Sequence, residues 1–278
     1  MRRRAAATFL LGLLLAATPA IPSPPLPGTP SGILSFAEEL LRAGDTFRAA
    51  TEYLRFLHHF PRGEQAPAAW EGLGRAYALA GRWDEAAQAF QRLHQMRPTR
   101  RARRLWAGAL YRAGRYGQAA RVASEGEPGD PDRVLATLAL LRAGRPGEAP
   151  LKQVVDEYQA LPRKSPATAG LLSALLPGAG HLYTGRPRDA GIALVLNGAF
   201  LWGTWQATRT DQWALAGILG ALELGWYGGT ISSSMNAAHK WNRREDERFF
   251  SRWETGVLPR WDLVLGPGGA GLTATWTW

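Results

Sequence analysis

The sequence predicts an all-α chain: an array of stacked helical hairpins, then a transmembrane helical hairpin, closed by a short C-terminal β-hairpin. Three observations carry this prediction. A short Ala-Gly-polar motif recurs four times between residues 32 and 162, each time between two apolar helical patterns. Two nearly uncharged runs, Ala190 to Thr208 and Trp213 to Ser234, come next in close succession. The last eighteen residues, "WDLVLGPGGAGLTATWTW", alternate in polarity on both sides of a glycine-rich turn.

The chain opens with "MRRR" and then "AAATFLLGLLLAATPA", a basic start, an apolar run and small residues at Thr18 and Ala20. That pattern predicts a secretory signal peptide over residues 1–20, with export of the segment C-terminal to it. "IPSPPLPGTPSG" holds five prolines in twelve residues, so residues 21–31 read as a stiff, extended linker.

Residues 32–162 carry the repeat. "RAGDTFRAA", "LAGRWDEAA", "RAGRYGQAA" and "RAGRPGEAP" place Gly44, Gly81, Gly114 and Gly144 at intervals of 37, 33 and 30 residues. Glycine permits the tight turn between paired helices, and the small Ala49, Ala86 and Ala119 allow close approach. In the second unit Trp70, Leu73, Gly74, Tyr77, Ala86, Phe90 and Pro98 stand at fixed spacing. This unit resembles the tetratricopeptide repeat family, whose signature is W-x2-L-G-x2-Y followed by Ala, Phe and Pro. The first unit matches at Ala49, Tyr53 and Pro61, the third at Ala119, and the fourth weakly, with Pro146 and Pro150 around its turn. The resemblance implies a right-handed array whose concave face binds a protein or peptide, with Glu38, Arg42, Glu71, Arg75, Arg101 and Arg104 lining the groove. Charges on helical repeats are more often a solvated face. The run "TRRARRLW" departs from that expectation, because four arginines in the first turns of a helix oppose its macrodipole. An acidic partner segment or anionic lipid would account for them.

Residues 163–250 read as a membrane-embedded helical domain. "RTDQ" alone separates the two long runs, and Thr168 to Leu182 adds a shorter apolar stretch that could cross as a third span. "LLPGAGHLYTGRPRDAG" is neither G-x-G-x-x-G nor a P-loop, and reads as a break between helices. Pro177, Gly178, Gly180, Tyr183 and Gly185 resemble the P-G-x-G-x-x-Y-x-G opening of small bacterial two-helix membrane domains, which implies a fold and a location rather than an activity. Asn197 and Glu223 stand out as polar groups at membrane depth and are expected to face each other, as a hydrogen bond locking the hairpin or as a conduction or ligand site. Arg186, Arg188, Lys240, Arg243 and Arg244 flank the open end of the hairpin, against Arg209 in its turn. Residues 251–278 form a tail, with Trp261, Leu263 and Leu265 on one strand face and Leu272, Ala274, Trp276 and Trp278 on another.

Composition bounds the function. The net charge of +10 comes almost wholly from arginine and suits anionic lipid or an acidic protein; export argues against nucleic acid. With no cysteine, disulfides, thiolate metal sites and cysteine nucleophiles are excluded. Nine of the twelve tryptophans lie beyond residue 200, a skew that favours a lipid boundary. His58, His59, His94, His181 and His239 fall in no catalytic or metal-binding motif, so neither an enzyme nor a cofactor is expected. The expectation is a membrane-tethered scaffold of the bacterial cell envelope that mediates protein–protein interaction, its repeats in the periplasm. The alternative is a membrane channel or lipid-handling module with the repeats as assembly partner.

Overall fold

The computed structural model describes residues 28–125, 131–258, 260–266 and 269–275. The expected signal peptide and most of the linker lie outside these residues, as do parts of the C-terminal tail, Trp276 and Trp278 among them.

Four helical units succeed one another. The first three are α1 (Pro30–Arg42) with α2 (Thr46–His59), α3 (Ala66–Leu79) with α4 (Trp83–Met96), and α5 (Arg100–Arg112) with α6 (Tyr116–Ser124). The fourth pairs α7 (Pro131–Arg142) with a single 3-10 turn at Pro146–Glu148 and the short α8 (Lys152–Gln159). Each first helix ends in the same way. Gly44, Gly81, Gly114 and Gly144 take φ between +71° and +81°, and the following amide reaches back to a carbonyl five residues earlier, as from Asp45 to Leu40 and from Arg82 to Tyr77. This is the Schellman end, in which left-handed glycine lets orphan carbonyls find donors. Ala49, Ala86 and Ala119, which come just after the turns, are fully buried. Pro146 and Pro150 shorten the second helix of the fourth unit, because a proline lacks the amide that a longer helix needs.

Beyond the repeats, α9 (Pro166–Leu175), α10 (Ala179–Tyr183), α11 (Pro187–Arg209) and α12 (Trp213–Val257) complete the helical part. The P-G-x-G segment is a packing knot. A Cβ on Gly178, at φ +92°, would stand 2.4 Å from the Ala190 carbonyl oxygen, and one on Gly180 would stand 2.0 Å from that of Ala169. The Ser165 amide donates to the Tyr183 hydroxyl at 3.1 Å, and the Lys164 ammonium lies 4.6 Å from the Tyr183 ring centroid. Pro177 through Gly185 thus fold α9, α10 and α11 tightly against α12.

The transmembrane hairpin expected from the sequence is corrected. Among the described residues no helix is long and apolar enough to cross a membrane. Length does not decide this, since α11 has 23 residues and α12 has 45. Apolarity does: Gly191, Asn197, Gly198, Gly203, Thr204 and Gln206 dilute α11, and glycines and serines dilute the first half of α12. The short third span also fails, because Thr168 to Leu182 divides into helices of ten and five residues around Pro177.

The helix α12 continues past residue 250, and its end enters the core of the repeats. Phe249 and Phe250 are each 2% exposed and pack on Tyr158 with ring centroids 5.2 and 5.6 Å away. The Tyr111 hydroxyl donates to Glu254 at 2.6 Å, and Arg142 reaches the same carboxylate at 3.0 Å. Further back, the Asn242 side chain accepts from the Lys164 amide at 2.8 Å and donates to its carbonyl at 2.9 Å. After α12 the backbone forms two antiparallel strands, β1 (Arg260–Gly266) and β2 (Gly269–Thr275), with Leu263 opposite Leu272.

Candidate functional site

The first helices of the four units are linked side by side through their charges. Glu38 on α1 accepts from the Tyr53 hydroxyl at 2.9 Å and lies 3.8 Å from the Arg75 guanidinium on α3. Glu71 on α3 accepts from Arg101 on α5 at 2.7 Å. Asp132 on α7 receives both Arg103, at 2.9 Å, and Arg104 of α5. Arg142 on α7 then meets Glu254 of α12. A ladder of ion pairs therefore crosses the array from α1 to α12. Burial and the neighbouring Glu38 carboxylate push the Tyr53 phenol well above its usual range, so it stays a hydrogen-bond donor.

The residues expected to line the groove divide by exposure. Arg101 keeps 59% of its side chain exposed while pairing with Glu71, and Arg42, exposed in the last turn of α1, makes no ion pair among the described residues. Arg104 is 13% exposed and its partner Asp132 only 3%, so this arginine neutralises a buried carboxylate. Two buried or half-buried arginines around one aspartate explain why arginine is tolerated in the first turns of α5, against the macrodipole. Asp132 is not among the residues that the sequence singles out: nothing in its local sequence marks it, and only the packing of α5 on α7 brings it to the arginines.

Glu71 and Arg101 border a cavity of about 330 Å³, together with Pro67, Ala68, Leu93, Arg97, Thr99 and Ala102. Its lining is mostly apolar, with Arg97 and the Arg101–Glu71 pair as its charged groups. Arg97, one of the lining residues, makes no ion pair among the described residues. It sits at the junction of α4 and α5, where the expected groove residues, all taken from the first helix of a unit, could not include it.

Asn197 and Glu223 are both buried, at 0% and 5% exposure, but they are not brought together. Asn197 donates to the Ala193 carbonyl at 2.6 Å and to the Thr230 hydroxyl at 3.4 Å. Thr230 and Glu223 are seven residues apart, about 10 Å along the helix. Counting outward from the turn places Glu223 opposite Asn197, whereas the packing register of the two helices selects Thr230. Neither carboxylate oxygen of Glu223 has a hydrogen-bond partner among the described residues, and burial pushes its pKa upward.

The fold is an array of helical hairpins whose first helices are joined by ion pairs. The family model of the tetratricopeptide repeat matches residues 34–100, which span α1 to the start of α5, so a tetratricopeptide repeat occupies this part of the chain. No curated protein matches the chain.

Proposed function

We propose that the chain is a non-catalytic docking scaffold of the bacterial cell envelope, whose repeats capture an acidic protein segment while α11 and α12 lie against a lipid surface. The observation that carries the docking reading is the cavity at the α3–α5 junction: a mostly apolar lining that also holds Arg97, Arg101 and Glu71, at the end of a tetratricopeptide repeat. Repeats of this kind bind protein partners. Guanidinium groups recognise carboxylates through two parallel hydrogen bonds, and Arg97 with the exposed face of Arg101 supplies them here.

Export rests on the signal-peptide pattern of residues 1–20. Lipid contact rests on side chains left outside the packing: Leu194, Val195, Trp202, Trp205, Trp213 and Leu224 are each at least half exposed. Exposed apolar side chains in this number are costly in water and point to an interaction surface. Contact along the surface, not a crossing, fits helices of this apolarity.

The test uses the immobilised full-length chain against acidic peptides with free C-terminal carboxylates and against their neutral, amidated counterparts. The acidic set is retained selectively, and Arg97→Glu with Arg101→Glu abolishes retention while helix content is unchanged. Equal retention of both sets, or by both proteins, overturns the docking reading. In a parallel flotation with anionic phospholipid vesicles the chain rises with the lipid; a chain that stays in the dense fraction overturns lipid contact.

A further inference from the structure

A cavity of about 660 Å³ opens between α10, α11 and α12. Ile192, Ala193, Leu222 and Trp226 make most of its wall apolar, while His181, Arg186 and Asp189 supply a polar end. A second cavity, of about 340 Å³, is lined by Arg186, Ala237, Lys240, Arg243 and Arg244. Arg186 borders both. Ser233 of the first cavity precedes Ala237 of the second by about one helical turn, so the two are successive stretches of a single groove, first apolar and then cationic.

Two features of this groove point to a ligand. The first is uncompensated charge. Lys240, Arg243 and Arg244 form no ion pair among the described residues, although carboxylates come directly after them on the same helix. Glu245 is committed to Arg248 at 2.7 Å and Asp246 to Arg163 at 2.7 Å, and neither carboxylate lines the groove. Among the described residues only Arg186 of these four cations has an acidic partner, Asp189 at 2.5 Å, which lines the apolar stretch and leaves the other three cations uncompensated. Cations converging on one cavity repel each other unless an anion occupies it.

The second feature is His181, which is 3% exposed and has no hydrogen-bond partner at Nδ1. Burial, reinforced by the Arg186 charge, holds its pKa below the ordinary value, which leaves a neutral imidazole at pH 7. Buried polar atoms are satisfied in nearly all folded chains, so an orphan nitrogen at the polar end of an apolar cavity calls for a polar ligand atom. The floor of the apolar stretch includes Gly225 and Gly229, which leaves room for an extended chain between the helices. Its volume lies within the range of small-ligand sites.

We propose that this groove binds one single-chain amphiphile with an anionic head, a carboxylate or a phosphate. The tail lies between Ile192, Leu222 and Trp226, the head meets Arg186, Lys240, Arg243 and Arg244, and His181 holds the polar atoms at the junction. The site needs neither a docked partner nor a bilayer, so it stands or falls apart from the docking reading.

Calorimetric titration of the full-length chain tests this, with decanoate, decyl phosphate, decanol and inorganic phosphate, each below its micelle concentration. Decanoate or decyl phosphate saturates at one molecule per chain, and the tighter of the two identifies the head. A Cβ on Gly229 meets nothing within 4 Å, so Gly229→Leu fills the groove without disturbing the fold and weakens binding at least tenfold. Lys240→Gln with Arg243→Gln weakens the anionic ligands at least tenfold and leaves decanol unchanged. Binding that Gly229→Leu does not alter, uptake that never saturates, or inorganic phosphate held as tightly as decyl phosphate each overturns the proposal.

Discussion

Gly74 shows how narrowly a single position can be constrained. A Cβ there would stand 2.4 Å from the Phe90 ring, and one on Gly72 would stand 2.2 Å from the Tyr53 ring. Glycine at these two sites admits aromatic rings from neighbouring helices against the α3 backbone. Gly74→Ala therefore forces a fully buried ring out of place and destabilises the chain by about 1–3 kcal/mol in urea unfolding, despite the better helix propensity of alanine. Gly74 is legible as part of a spaced signature, but Asp132 is not, because its role depends on two arginines 28 and 29 residues earlier. Glu223 makes a prediction of a different kind. Its folded-state pKa is raised by burial, so the folded chain holds this proton to a higher pH than the unfolded chain does. As pH rises above the ordinary value of 4.5, stability is lost through this group. Glu223→Gln should raise the melting temperature at pH 7, and the difference should shrink as pH falls toward 4.5 in a thermal series.

Among the elements, the paired helices are legible in the sequence and the end of α12 is not. The repeats announce themselves because each uses the same turn chemistry and the same small residues after it, so local sequence and packing agree. The expected membrane spans rest on the absence of charge, which does not separate apolar segments from those rich in glycine, serine and threonine. Apolarity measured along the helices overturns that expectation. "RFFSRW" at the end of α12 carries no signal of its own, since its aromatic pair has meaning only beside Tyr158 and Arg142. The fourth unit has a truncated second helix, and α12 covers the core which that truncation leaves open, as a terminal capping element does in repeat arrays. Phe250, 2% exposed with the Arg142 guanidinium 3.9 Å from its ring centroid, is central to that cover. Phe250→Ala should cost about 3–5 kcal/mol in urea unfolding.

At the scale of the whole molecule, the core of the repeats and the groove beyond them share one structural member. The sequence marks the charged face of the array but no ligand cavity beside it, because cavities arise from how helices pack and leave no periodic trace. The same holds for the amphiphile groove, whose lining comes from α10, α11 and α12 and the turn at Arg186. The helix α12 carries Trp226 of one groove in its first half and Glu254, the last rung of the ion-pair ladder, at its end. Its 45 residues extend about 68 Å without interruption. Such a helix behaves as an axle. Each residue added or removed between the two ends would turn the amphiphile groove by about 100° relative to the repeats. Insertions of about seven residues nearly restore its bearing, whereas those of about two point it to the opposite side. The bearing of that groove relative to the repeats is thereby written in the residue count of one helix, a setting that substitutions along its exposed side leave untouched.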